Sequence, residues 1–353
     1  MMVNRGFDCA GEDFISERWT LDKFQKVIDW GFNTIVVLFW WGKLEREDGT
    51  YQTEKIAKIK RQIALAEQVG LNVIVSLRVC WDDAGNPSWA SDWSNGKPFH
   101  DYVNMTEQGR SRYAKFLAMI AQEFPNCQYC LWHFPYHRQA INDERKRLFT
   151  DVTIPSLIDA VREVNENSII FVPIYQGATL NGETSDYYLT AEPLPYSNII
   201  YGLGHMIPWS VVNGEWDRDE ARMVRAFEGV KHWTETYGLP MLSVEYAPLS
   251  WNGIPLTESR LNCLKSSIDK MDDYQVGFLC HRISLYRRSG DNVLSDIPSF
   301  AINESISNVL KSYEVVVPPQ PPTEDNRFLL LLFLSFVVFG LVLMSGYSSM
   351  ERT

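Results

Sequence analysis

Tryptophan and histidine carry much of the chemistry this sequence can offer. Ten of the twelve tryptophans fall at or just after the ends of short apolar runs: Trp19, Trp40, Trp41, Trp81, Trp89, Trp93, Trp132, Trp209, Trp216 and Trp251. An indole face stacks on the C–H face of a sugar ring, so a cleft lined this way suits an oligo- or polysaccharide, although such rings also pack long loops. Trp40, Trp41, Trp81, Trp132, Trp209 and Trp251 are the candidate platforms. His133, His137, His205 and His281 fall at similar places. They lack ligand spacing and read as hydrogen-bonding pocket residues, so no metal and no cofactor is expected. Cys127 and Cys130 form a C-x-x-C, but on a strand a spacing of three sends the two sulfurs to opposite faces. The six cysteines read as buried free thiols.

The elements that must position these residues alternate along the chain. Val3 to Cys9, Asn33 to Phe39, Asn72 to Leu77, Gln128 to Trp132, Ser168 to Val172, Asn198 to Gly202, Pro240 to Val244 and Gln275 to Leu279 are near-continuous apolar runs. Such runs mark strands covered on both faces. Helical spacing fills Leu21 to Asp29, Thr53 to Gln68, Gly109 to Gln122, Asp143 to Val164, Asp217 to Thr236, Glu258 to Met271 and Pro298 to Ser312. The fifth crossover, Gln176 to Ser197, is marked by glycine and proline and reads mostly as loop. Eight such repeats predict an α/β fold, a (β/α)8 TIM barrel over residues 1–313, with the working face at the C-terminal ends of the strands.

The remaining residues differ in kind. Residues 314–327 form a proline-rich linker, 328–347 carry no charge, and 348–353 are a short polar tail. About 20 uncharged, apolar residues are what a helix needs to cross a bilayer, so a single C-terminal transmembrane helix and a lipid partner are expected. Arg327 and Arg352 flank the span almost symmetrically and do not set its orientation. Met1 to Arg5 runs straight into Gly6-Phe7-Asp8 without an apolar leader, the pattern of a tail-anchored chain with a cytosolic barrel, but the side of the membrane the barrel faces is left open. The net charge of −11 is spread out with no Lys/Arg-rich stretch, which argues against nucleic acid. Oligomeric state is not set by these features.

Gly31-Phe32-Asn33-Thr34, Trp41-Gly42-Lys43-Leu44-Glu45 with Gly49-Thr50-Tyr51, and Ala66 to Ile74 resemble the first third of the retaining glycosidases of glycoside hydrolase family 5 and its barrel clan, which includes cellulases and β-mannanases. The resemblance runs from about Arg5 to Ser312. It implies that Glu245, in Leu242-Ser243-Val244-Glu245, is the nucleophile, and that His205 matches the histidine ending strand six. It also implies departures. The family's acid/base glutamate falls on Phe134 of Trp132-His133-Phe134-Pro135, with His133 at its asparagine. Phe134 cannot move a proton. Val36 stands where an arginine usually supports the nucleophile, Arg78 where strand three usually ends in histidine, and His281-Arg282 near the usual strand-eight tryptophan.

Three readings follow. One is a membrane-anchored glycoside hydrolase-like protein on β-linked glycans, with a proton donor drawn from His133, His137, Asp82 or Asp83. The second is an inactive barrel that binds glycan without cleaving it, Glu245 being a buried acid paired with Arg78. The third is a membrane-tethered scaffold.

Overall fold

In a computed structural model of the chain, the strands are β1 (Arg5–Ala10), β2 (Thr34–Trp40), β3 (Asn72–Arg78), β4 (Gln128–Cys130), β5 (Tyr136–His137), β6 (Ile170–Pro173), β7 (Tyr175–Ala178), β8 (Thr184–Tyr188), β9 (Ile199–Leu203), β10 (Met241–Tyr246), β11 (Gly277–Ile283), β12 (Ser295–Asp296) and β13 (Ala301–Ile302). The helices are α1 (Gly11–Ile15), α2 (Leu21–Asp29), α3 (Trp41–Leu44), α4 (Thr53–Gln68), α5 (Phe99–Met105), α6 (Glu107–Glu123), α7 (Asp143–Leu148) and α8 (Ile154–Arg162). The structure describes residues 5–46, 48–78, 99–132, 136–137, 143–173, 175–178, 184–188, 193–203, 235–238, 241–246, 258, 262, 265, 268–269, 277–283, 295–296 and 301–302.

All eight predicted strands form, and they close into a parallel barrel in the order β1, β11, β10, β9, β6, β4, β3, β2. Local sequence sets the first turns of this barrel. Helices α2 and α4 run out at Gly31 (φ 92°) and Gly70 (φ 88°), where Phe32 N donates to Val27 O at 3.2 Å and Leu71 N to Ala66 O at 3.1 Å. That closing turn needs a left-handed residue, which glycine adopts without a Cβ clash. Each glycine is followed two residues later by an asparagine. Asn72 N then donates to Asn33 O at 2.9 Å, and the pair sets the register of β2 against β3 from Thr34 opposite Asn72 to Trp40 opposite Arg78.

Two apolar clusters correspond to the two faces of the barrel wall. Val36, Leu38, Ile74, Cys130 and Phe171 form the small cluster that fills the lumen. Ile35, Val37, Phe39, Val73, Val75, Tyr129 and Ile170 face outward into a larger core with α2, α4, α6 and α8. This alternation is the period of two of a strand, and burial on both sides explains why the runs carry almost no polar residues. Cys127 lies in the outer cluster and Cys130 in the lumen cluster, as the spacing of three requires.

Three segments differ from the sequence expectation. The fifth crossover is not all loop, because β7 and β8 pair antiparallel and β5 joins them in a three-stranded sheet. The helix expected from Asp143 to Val164 is α7 and α8 joined by a wider π turn over Phe149–Thr153. Pro155 explains it: its ring lacks an N–H and would press on the carbonyl four residues back in a regular helix. Of the helix expected from Pro298 to Ser312, only Ala301 and Ile302 lie among the described residues, and they form β13, where Ser295 and Asp296 pair with Ile302 and Ala301.

The chain divides into two units, Met1–Val316 and Val317–Thr353, and the second lies wholly outside the described residues, together with the expected span 328–347. Among the described residues no helix is long and apolar enough to cross a membrane.

Candidate active site

The end of β2 separates two adjacent tryptophans. Trp40 is half-buried, shares the face of Val36 and Leu38 by alternation, and lies opposite Arg78 at the C-terminal rim. Trp41 begins α3 and is only 1% exposed. Its ring meets Tyr113 at 5.0 Å and Phe116 at 6.1 Å, and its Nε1 donates to the buried carboxylate of Glu45. Arg112 on α6 closes the arrangement, donating from Nε to Glu45 Oε1 at 2.6 Å and from Nη2 to Arg46 O at 3.0 Å. The Trp-to-Glu part of the early motif is therefore a structural clamp between the β2 exit and α6. Packed against Tyr113 and Phe116 and almost wholly buried, Trp41 has no surface left to serve as a sugar platform.

At the end of β4 the chain is held equally firmly. Tyr113 Oη donates to Leu131 O at 2.7 Å, and Trp132 is fully buried between Tyr113 (6.2 Å) and Phe149 (6.0 Å). Trp132 thus belongs to the core as well. Burial in the lumen pushes the Cys130 thiol up to about 11, against the opposing pull of a hydrogen bond with Ser76. Burial also raises Cys127, with a smaller push from Glu67. Both sulfurs stay protonated at neutral pH, which is the state of a packing thiol rather than a ligand or nucleophile.

The β10 strand carries a bulge where the sequence places its carboxylate. Ser243 lies opposite Phe278 and Tyr246 opposite Cys280, so Val244 and Glu245 together face the single residue Leu279 on β11. Leu279 lies opposite Gly6, which lies opposite Thr34, and Thr34 has the parity of Val36 and Leu38. Partners across a parallel ladder share a face, so Leu279 and the residues opposite it hold lumen-face positions. Without the bulge, strict alternation from Leu242 would put Glu245 on the other face. Bulges re-aim residues in this way at barrel rims and beside active sites.

His281 is on β11 one residue beyond Cys280. Arg78 is on β3, four strands from β10 whichever way the ring is followed. His133, His205, Trp81, Trp209 and Trp251 lie outside the described residues, as does Phe134. Among the described residues no group of three or more His, Cys, Asp or Glu is placed to hold a metal ion. Sequence reasoning missed Arg112, whose partner Glu45 is 67 positions away and carries no local signal.

The family model for cellulases, glycosyl hydrolase family 5, matches residues 5–283. Among solved structures the fold is similar to an endoglucanase, with TM-score 0.64 and 13% identity, covering 88% of this chain and 97% of that chain. It is similar to Thermotoga maritima Cel5A in complex with mannotriose substrate, with TM-score 0.60 and 12% identity, covering 88% and 97%. It is also similar to endo-glycoceramidase II from Rhodococcus sp. in an iminocyclitol complex, with TM-score 0.68 and 15% identity, covering 88% and 78%. Comparison with curated proteins gives no match. With a closed parallel (β/α)8 barrel and a family match over most of its length, the chain belongs to glycosyl hydrolase family 5, a class of retaining glycoside hydrolases.

Proposed function

We propose that this protein is a membrane-tethered glycosidase-like barrel acting on β-linked glycans, with Glu245 as its nucleophile and no carboxylate in the usual place of the proton donor. The observation that carries this reading is the β10 bulge, which gives Glu245 a lumen-face register one residue from the C-terminal end of its strand. A carboxylate at that rim attacks the anomeric carbon, the bond to the leaving oxygen breaks, and a glycosyl ester forms that water later opens. Phe134 supplies no proton for the leaving oxygen. That role falls to His133 or His137, which follow β4 in sequence, or to Asp82 or Asp83, which follow β3, with His205 as the further catalytic candidate. Trp40 and Arg78, the last residues of β2 and β3, are the proposed sugar contacts, with Trp81, Trp209, Trp251 and His281 as further candidates. The mannotriose and iminocyclitol complexes of proteins with this fold support a sugar ligand. The uncharged run 328–347 after a proline-rich linker supports a single membrane anchor.

Glycan binding without cleavage is the second reading. It is favoured by Phe134 and by Val36, which sits 1% exposed in an apolar lumen cluster. Kinetics on an aryl β-glycoside with a good leaving group separate the two. Turnover by the full chain that Glu245→Gln abolishes supports the hydrolase, whereas equal rates in both variants remove it. Oligosaccharide binding with no turnover supports the second.

A further inference from the structure

Trp40 is the last residue of β2, and its backbone is laddered on one side. Pairing with β3 runs on to Trp40 opposite Arg78, whereas pairing with β1 stops two residues earlier, at Ala10 opposite Leu38. The segment that follows does not hold itself. Helix α3 is four residues long, and a single helical turn has no stability of its own in water. The place of Trp40 therefore depends on how the residues after it are tied to the rest of the barrel.

Those ties converge on two consecutive residues of α6. Arg112 donates to Glu45 Oε1 at 2.6 Å and to Arg46 O at 3.0 Å, and the other Glu45 oxygen accepts from Trp41 Nε1, one turn back. Tyr113 packs its ring on Trp41 at 5.0 Å and donates to Leu131 O at 2.7 Å, so the exits of β2 and β4 share one anchor. The Glu45 side chain is 2% exposed. Away from water, charge-assisted bonds to such a carboxylate are strong, and breaking one leaves a buried charge uncompensated. Trp40 and Trp41 are joined by one peptide unit, so fixing Trp41 fixes the backbone of Trp40. Trp41 is buried against α6, while Trp40 stays half-buried at the strand end. Stacking on a sugar face depends on geometry, and the affinity it gives is greatest when the ring is in place before the sugar arrives.

We propose that Arg112 is a positioning residue for glycan binding: through Glu45 and Trp41 it pins the exit of β2 to α6 and holds Trp40 where it meets the sugar. The role in binding rests on the reading of Trp40 as a sugar contact, while the pinning itself does not.

Two measurements on the full chain test it. Calorimetry with cellotetraose and mannotetraose reads the role. Arg112→Met is expected to weaken binding about fivefold in the wild-type background but less than about twofold in a Trp40→Ala background, because the two changes remove the same contact. An equal loss in both backgrounds, or no loss in either, overturns the role. Glu45→Gln keeps an acceptor for Trp41 and serves if Arg112→Met does not fold; it is expected to weaken binding about threefold, again only where Trp40 is present. Hydrogen exchange of the backbone amides of residues 39–46 reads the pinning. Exchange is expected to quicken about tenfold or more in Arg112→Met, or in Glu45→Gln, without ligand. Unchanged exchange overturns the proposal whatever the binding. Faster exchange in a chain that binds neither oligosaccharide upholds the pinning and removes Trp40 as a sugar contact.

Discussion

Arg112 Nε donates to Glu45 Oε1 at 2.6 Å, joining α6 to the turn after β2 across 67 positions of sequence. The Glu45 carboxylate is almost wholly buried, and Trp41 Nε1 also donates to it. Removing one partner of a buried pair leaves the other charge without compensation, at about 3 kcal/mol or more. Arg112→Met is therefore expected to lower unfolding free energy by about 3 kcal/mol, while Glu45→Gln with Arg112→Met together cost less than the sum. Urea unfolding of the three variants checks this, and additive losses would contradict it.

Trp40 and Trp41 are adjacent and are expected to fail differently. Trp41→Ala empties a core site walled by Tyr113 and Phe116 and should cost about 3 to 5 kcal/mol of stability. Trp40→Ala, at the half-buried rim position, should leave stability within about 1 kcal/mol and weaken oligosaccharide binding about fivefold or more. Calorimetry for binding and thermal unfolding for stability separate the two outcomes.

Cys130 makes stability depend on alkaline pH. Its folded thiol titrates at about 11, above the ordinary value of 9.0, because burial penalises the thiolate. A raised value means that its contribution is fully present below about pH 9 and is lost as pH rises toward 11. The loss attributable to this group is about 2 to 3 kcal/mol. Unfolding free energies of wild type and Cys130→Ala from pH 8 to 11 are expected to converge by about that amount. A constant difference would contradict the assignment.

The barrel was legible in the sequence because a strand such as β2 is buried on both faces, so its composition alone marks it, as in Ile35-Val36-Val37-Leu38-Phe39. The turns were legible where a glycine is required, at Gly31 and Gly70. What escaped is set by pairing between distant segments. Arg112 and Glu45 belong to different repeats, and the β7 and β8 pairing overrides a glycine- and proline-marked stretch. Trp41 and Trp132 carry the same residue type as a platform, yet Tyr113 lies against both in the core. The register shift in β10 is another such feature: Val244 and Glu245 together stand opposite Leu279 of β11, and only the pairing with that distant strand reveals it.

Phe134 marks the missing proton donor, so restoring a carboxylate there should restore chemistry if the rest of the site is assembled. Tyr113 and Trp132 hold the preceding strand end in place. Phe134→Glu is expected to raise hydrolysis of unactivated β-linked oligosaccharides by about 10²-fold or more, the usual contribution of a positioned general acid. Reducing-sugar release at or below the wild-type level would contradict it.

The central claim is that Glu245 is a working nucleophile, and covalent trapping addresses it without needing a proton donor. A 2-deoxy-2-fluoro β-glycoside with an activated leaving group should label the full chain once, and peptide mapping should place the sugar on the segment containing Glu245. Glu245→Gln should remain unlabelled. Labelling of a different residue, or no labelling of a folded chain that binds the corresponding oligosaccharide, would contradict the account.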